Sequence, residues 1–172
     1  GLSSQLMNDS VRYSKSLSRA TNAAIPFVTP SKIGGDEEIA VESAIEWLFQ
    51  SVDAAEKGLV AISGMKERPA EPEDEDLPAR NLYSVMDQLV TQMYFALDSK
   101  PNTHRGVGNE PTAEQRVQLY WRVKPLLKRV LRFALTPETG ILAGPTAYRF
   151  MEILNAVLPL DPEGVIEMAW EV

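Results

Sequence analysis

The chain has no cysteine and only one histidine among 172 residues. Disulfides, thiolate metal sites and cysteine nucleophiles are excluded, and so is a zinc site built from histidine and cysteine. Also missing is any apolar run near the roughly 20 residues that a membrane-spanning helix requires. No stretch resembles a signal peptide. These absences lead us to expect a cytoplasmic protein that does not bind membranes. The chain starts at Gly1 rather than methionine and stops inside a helical pattern at Val172. We therefore expect a piece of a longer protein.

What is present is an ordinary globular composition, 44% hydrophobic, with 24 acidic and 17 basic residues and a net charge of −7. A chain of this length buries a sizeable core in one domain or two small ones. The overall acidity argues against broad, nonspecific nucleic-acid binding.

The densest apolar stretch runs from Thr112 to Leu135, and we expect it to be the central helix. Thr112-Ala113-Glu114-Gln115 fits a capping box, and Thr136-Pro137 marks the stop. At about 100° per residue, Leu119, Val123, Leu126, Leu127, Val130, Phe133 and Ala134 share one side, with Tyr120 and Leu131 at its edge. Arg122, Lys124, Lys128, Arg129 and Arg132 fall opposite, together with Trp121 and Pro125. From Ala113 to Leu135 there are six basic residues and one acid, a net +5 inside an acidic chain. Pro125 lies on the wet side, where water can satisfy the carbonyl that loses its amide partner.

The rest of the chain reads as further helices. Leu6, Tyr13, Leu17, Ala20 and Ala24 have helical spacing over residues 3 to 24, diluted by serines. Pro26 and Pro30 break that pattern, and Phe27 and Val28 are expected to tuck into a neighbour. Gly34-Gly35-Asp36 opens a longer helix, with Asp36, Glu37 and Glu38 in its first turn, where the helix dipole favours negative charge. Its seam is Val41, Ile45, Leu48, Val52, Ala55, Leu59 and Ile62, in steps of four and three. Residues 59 to 62 could also form a short strand, but the continuing seam favours helix, with Gly64 as terminator. Residues 66 to 79 form an acidic, proline-rich linker, holding Glu71, Glu73, Asp74, Glu75 and Asp76 among Pro69, Pro72 and Pro78. It divides N-terminal helices, 1 to 65, from a C-terminal part, 80 to 172. The two parts are expected to pack as one domain.

A third helix spans about 79 to 97, with Leu82, Val85, Met86, Leu89, Met93 and Ala96 on one side. Ser99 to Glu110 is a loop. Pro145 opens a fifth helix whose expected inner face is Ala147, Met151, Leu154 and Leu158. Pro159 stops it. Asp161 caps a sixth helix with Pro162 at its first position, and Val165, Ile166, Ala169 and Trp170 are expected inward. The fold class is all-α, an irregular bundle of about six helices. A short solenoid-like stack in the C-terminal part is the architectural alternative.

Candidate chemistry is sparse. His104 sits in a loop and reads as an exposed side chain. Glu38, Glu42 and Glu46 share a helix face, but no histidine follows a glutamate by three, as a carboxylate-bridged di-metal bundle needs. They read as a solvated acidic face. Gly34-Gly35 and Gly106-Val107-Gly108 match no phosphate-binding fingerprint and read as turns. No Gly-x-Ser-x-Gly elbow is present. No catalytic residue, cofactor or metal ligand is assigned.

The expectation is thus a non-catalytic interaction or scaffold domain. Its contact patch is Trp121, Arg122, Lys124, Lys128, Arg129 and Arg132, presented to another protein or another region of the parent chain. The alternative is a helical nucleic-acid-binding module using the same basic face. The acidic run Glu71 to Asp76 could mask Lys124, Lys128 and Arg132. The seam from 41 to 62 could close within the chain or across a dimer.

Overall fold

The computed structural model describes residues 2–63, 78–98, 111–135 and 145–170, with side chains over 12–61, 81–98, 111–133 and 148–170. Six helices follow in order: α1 (Leu2–Ala24), α2 (Glu38–Ser63), α3 (Pro78–Leu97), α4 (Ala113–Leu135), α5 (Pro145–Val157) and α6 (Pro162–Trp170). Two short 3-10 turns, Ile25–Phe27 and Pro30–Lys32, lie between α1 and α2. Each has proline in its first turn, where the missing amide donor is not needed. Among the described residues there is no strand, so the all-α expectation holds and residues 59 to 62 are helical. Gly64, most of the acidic run 66–79, the loop holding His104 and Gly106-Val107-Gly108, and the Thr136-Pro137 stop lie outside the described residues.

The seam of α2 is buried as its spacing implies. Val41, Ile45, Leu48, Val52, Ala55 and Leu59 all enter the core within one copy of the chain. Gly34 takes φ +79 in the turn ahead of the helix, a conformation that a side chain would strain. The helix itself starts at Glu38, so Asp36 and Glu37 precede it. Val28 is fully buried as expected, whereas Phe27 stays partly exposed under the Lys32 ammonium, 4.6 Å from its ring centre.

The hub of the packing is α3, not α4. It contacts α1, α2, α4 and α5, while α4 lies mainly on α2, α3 and the second 3-10 turn. The reason is in the side chains. Leu82, Val85, Met86, Leu89, Val90, Met93, Ala96 and Leu97 of α3 are all buried, a stripe broad enough to meet several partners. The remaining side of α3 is polar but also packed. Asn81 donates to Ser14 Oγ at 3.2 Å, and Gln88 donates to Ser18 Oγ at 3.3 Å and to Ser84 Oγ at 2.8 Å. Ser14 and Thr21 of α1 are fully buried, while Tyr13 is exposed. Ser14 and Ser18 therefore lie on the contact face of α1, correcting the reading of them as dilution. Small side chains let the two helices approach closely, and their hydroxyls are satisfied on arrival.

Two inner faces also need correction. In α5 the buried residues are Phe150, Ile153, Leu154 and Val157, with Met151 and Leu158 exposed. In α6 Val165 and Met168 point inward, while Ile166, Ala169 and Trp170 are exposed. Leu154 and Val165 are buried as expected and the side chain of Ala147 lies outside the described residues, but both helices carry apolar residues on two sides, so periodicity alone misplaced the others. Finally, α5 rests on α3 and α6 on α5. The C-terminal part is a bundle around α3, and the solenoid alternative does not describe it.

Candidate functional site on the outer side of α4

Helix α4 begins with the expected reciprocal cap. The Gln115 amide donates to Thr112 Oγ1 at 3.1 Å, and the Thr112 amide donates to Gln115 Oε1 at 3.0 Å. The helix runs through Pro125, which is exposed. Leu119, Val123, Leu126, Leu127, Val130 and Phe133 are buried as the wheel requires. Tyr120 and Leu131, expected at the edge, are fully buried too.

The cations do not form one open patch. By helical phase they divide into two shoulders with a crest between them. On one shoulder, Arg122 and Arg129 reach α2. Arg122 pairs with Glu38, and with Glu42 at 3.0 Å. Arg129 donates from Nε to Asp53 Oδ1 at 2.8 Å and pairs with Glu56. Glu38 and Glu42 thus pair with Arg122 while staying solvated, and Glu46 is exposed, so this face is acidic and solvated as expected but partly ion-paired. Burial alone lowers the Arg129 pKa, but its hydrogen bonds to Glu56 and Asp53 outweigh that and hold the guanidinium above its ordinary value.

On the other shoulder, Tyr120, Lys124 and Lys128 reach α6. Lys128 meets Glu167 at 2.9 Å, and that hydrogen bond holds the Glu167 carboxyl below its ordinary range. Lys124 meets Asp161 Oδ2 at 2.8 Å, and the Tyr120 hydroxyl donates to the same oxygen at 2.7 Å. The other oxygen, Oδ1, accepts the Gly164 amide at 3.1 Å, the N-cap bond expected for α6. Asp161 is 8% exposed and Tyr120 fully buried. The hydrogen bonds from Lys124 and Tyr120 bring the Asp161 carboxyl down to about 2 from its ordinary 3.8, against the opposing effect of burial. Burial, then the hydrogen bond to Asp161, push the Tyr120 phenol well above its ordinary range.

The crest holds Trp121, Pro125 and Arg132, all exposed. Trp121 is 49% exposed, with the Lys124 ammonium 5.0 Å from its ring centre and the Tyr120 ring edge-on at 5.3 Å. No family model, curated protein or solved structure matches the chain.

Of the six residues singled out from sequence, Arg122, Lys124, Lys128 and Arg129 meet carboxylates and Trp121 meets Lys124. Arg132 stands exposed further along the crest. Sequence reasoning missed Tyr120 and the second task of Asp161, because these partners lie 41 residues apart and no local pattern links them. The masking segment Glu71 to Asp76 lies outside the described residues, and the carboxylates on Lys124 and Lys128 are those of α6. A separate cavity of about 540 Å³ between α1 and α2, lined by Tyr13, Gln50, Asp53, Ala54, Lys57 and Gly58, includes none of the six.

Proposed function

We propose that the chain is a non-catalytic helical interaction domain that docks a partner protein through the crest of α4. One observation carries this reading. A half-exposed indole stands between two rows of ion pairs, so the cations around it are already matched by carboxylates. Exposed tryptophans flanked by polar rims are the residues that dominate binding at protein interfaces. Lys124 above the ring and Tyr120 at its edge hold the indole in place, which reduces the ordering cost on binding. The contact patch is Trp121 with Pro125 and Arg132, bordered by Arg122, Lys124, Lys128 and Arg129. Its place of action in this reading is the cytoplasm, which agrees with the finding that no described helix is long and apolar enough to cross a membrane.

The nucleic-acid alternative loses support from the same pairs. A lysine or arginine already held by a carboxylate must break that pair before it can neutralise a phosphate. The test is affinity purification of the tagged chain, with Trp121→Ala and Trp47→Ala prepared in parallel. Proteins that depend on Trp121 and not on Trp47 are expected, and their retention should change little with salt. Tight oligonucleotide binding that falls steeply as salt rises would overturn the reading in favour of the alternative.

A further inference from the structure

Helices α5 and α6 each carry a second apolar stripe that no described part of the chain covers. On α5, Tyr148 and Met151, with Leu158 just past the end of the helix, lie beside the buried stripe of Phe150, Ile153, Leu154 and Val157; all three are exposed, with Asn155 among them. On α6, Ile166 and Trp170 lie opposite Met168, and Trp170 is 85% exposed. The turn between the helices adds Leu160, also exposed, and so joins the stripes. Apolar side chains left exposed beside the buried stripe, on two helices in succession, mark a surface meant to be covered.

The charges on this face say by what. Residues 145 to 170 contain four acids and one base. The base, Arg149, is taken up by α3: it donates to Thr91 Oγ1 at 2.5 Å and lies 3.6 Å from Asp87. Two of the acids, Asp161 and Glu167, are held by α4. That leaves Glu152, next to Tyr148 by helical phase, and Glu163, next to Trp170. Neither has an ion-pair partner among the described residues. The face is therefore apolar with an acidic margin and no spare cation. Two copies of it would repel each other, and an anionic lipid surface would be repelled as well. A helix with an apolar stripe flanked by lysine or arginine complements it in both respects. Met151 adds a soft, exposed side chain that adapts to such a partner.

We infer that the outer face of α5 and α6 is a docking surface for a basic amphipathic helix. The inference does not rest on the Trp121 reading, since the two surfaces are different and can be disabled separately.

The test uses the whole chain and two dye-labelled synthetic peptides of about 18 residues, long enough to form a helix on binding. Both have the same leucine stripe, one with lysine and the other with glutamate at the polar positions. By fluorescence anisotropy the lysine peptide is expected to bind in the micromolar range, and the glutamate peptide not below about 100 µM. Replacing both Ile166 and Trp170 with serine should weaken the lysine peptide about tenfold or more. Reversing the margin, with Glu152→Lys and Glu163→Lys together, should weaken it about fivefold at low salt and less at high salt. Trp121→Ala should leave its affinity unchanged, which separates this surface from the crest of α4. All these positions except Glu152 are exposed, and circular dichroism verifies that the helix content is retained. The inference is overturned if the glutamate peptide binds as well, or if the serine pair leaves affinity unchanged. It is also overturned if the chain sediments as a dimer that Ile166→Ser dissolves, because the occupant is then a second copy.

Discussion

The two shoulders of α4 use the same chemistry to different ends. Toward α2, Arg122 and Arg129 each straddle two carboxylates, and beneath them lies the apolar seam from Val41 to Leu59. The core holds those helices together, and the arginines border it. Toward α6 the balance reverses. That helix has nine residues, and Val165 and Met168 are its buried large apolar side chains. A helix so short is not stable alone. What positions it on α4 is Asp161, which caps the helix with one oxygen and holds Tyr120 and Lys124 with the other. An ion pair at the edge of a large core contributes little, but a buried carboxylate with three donors strands all three when removed.

The sharpest break of this comparison is Asp161→Ala. It leaves a buried hydroxyl, a mostly buried ammonium and an uncapped helix, and we expect a loss of about 3 kcal/mol or more in chemical denaturation. Asp161→Asn keeps a capping oxygen and an acceptor for Tyr120, and should lose clearly less. If alanine and asparagine behave alike, the carboxylate does not join the two helices in the way described here.

Gly164→Ala is the next largest. A Cβ there would stand 2.1 Å from Asp161 Oδ2 and 2.8 Å from the Lys124 ammonium. Alanine gains about 1 kcal/mol of helix propensity, yet these atoms are pinned and cannot yield. We expect a net loss of about 1–2 kcal/mol, since overpacking costs more than propensity returns. Gly58 is the contrast. There a Cβ meets only the apolar side chain of Leu82, with Cδ1 at 2.9 Å, and no charged group.

The same carboxylate shapes the acid limb of stability. Its folded pKa, about 2, lies below the ordinary 3.8, so its contribution is complete above pH 4 and is lost as the pH falls toward 2. That contribution is about 2 kcal/mol. Thermal melts from pH 6 to 2 should therefore show a steep acid decline that Asp161→Asn flattens. Tyr120 acts at the opposite end. Its raised pKa keeps the folded phenol protonated, so stability falls once the pH passes 10, where an unfolded tyrosine ionises.

How much of this could be read in advance follows from where the determining contacts lie. The seam of α2 was legible because its apolar residues recur in unbroken steps of four and three from Val41 to Leu59, a run that the scattered outward Ile39, Trp47 and Val60 do not match. The caps at Thr112 and Asp161 were legible because each closes within four residues. The contact face of α1 was not, because Ser14, Ser18 and Thr21 look polar until Asn81 and Gln88 arrive from α3. The inner faces of α5 and α6 were misphased because Met151, Leu158, Ile166 and Trp170 match a helical period as well as the residues actually buried. The cations of α4 were correctly set on its outer side. Their distribution over two shoulders depends on carboxylates 37 to 84 residues away, which no pattern within the helix reveals.

The smallest expected effects lie at the outer ends of the two shoulders, and they refine the comparison best. Arg129→Met removes a guanidinium that is mostly buried between Asp53 and Glu56, and we expect a loss of about 1 kcal/mol after allowance for solvent screening. Glu167→Gln removes a fully solvated partner of Lys128, and the denaturation midpoint should not move measurably. A clear loss for Glu167→Gln would mean that α6 is held by its ion pairs in general. No change there, beside a large loss at Asp161, locates the attachment of this helix in one buried carboxylate, with Lys128 and Glu167 as its solvated margin.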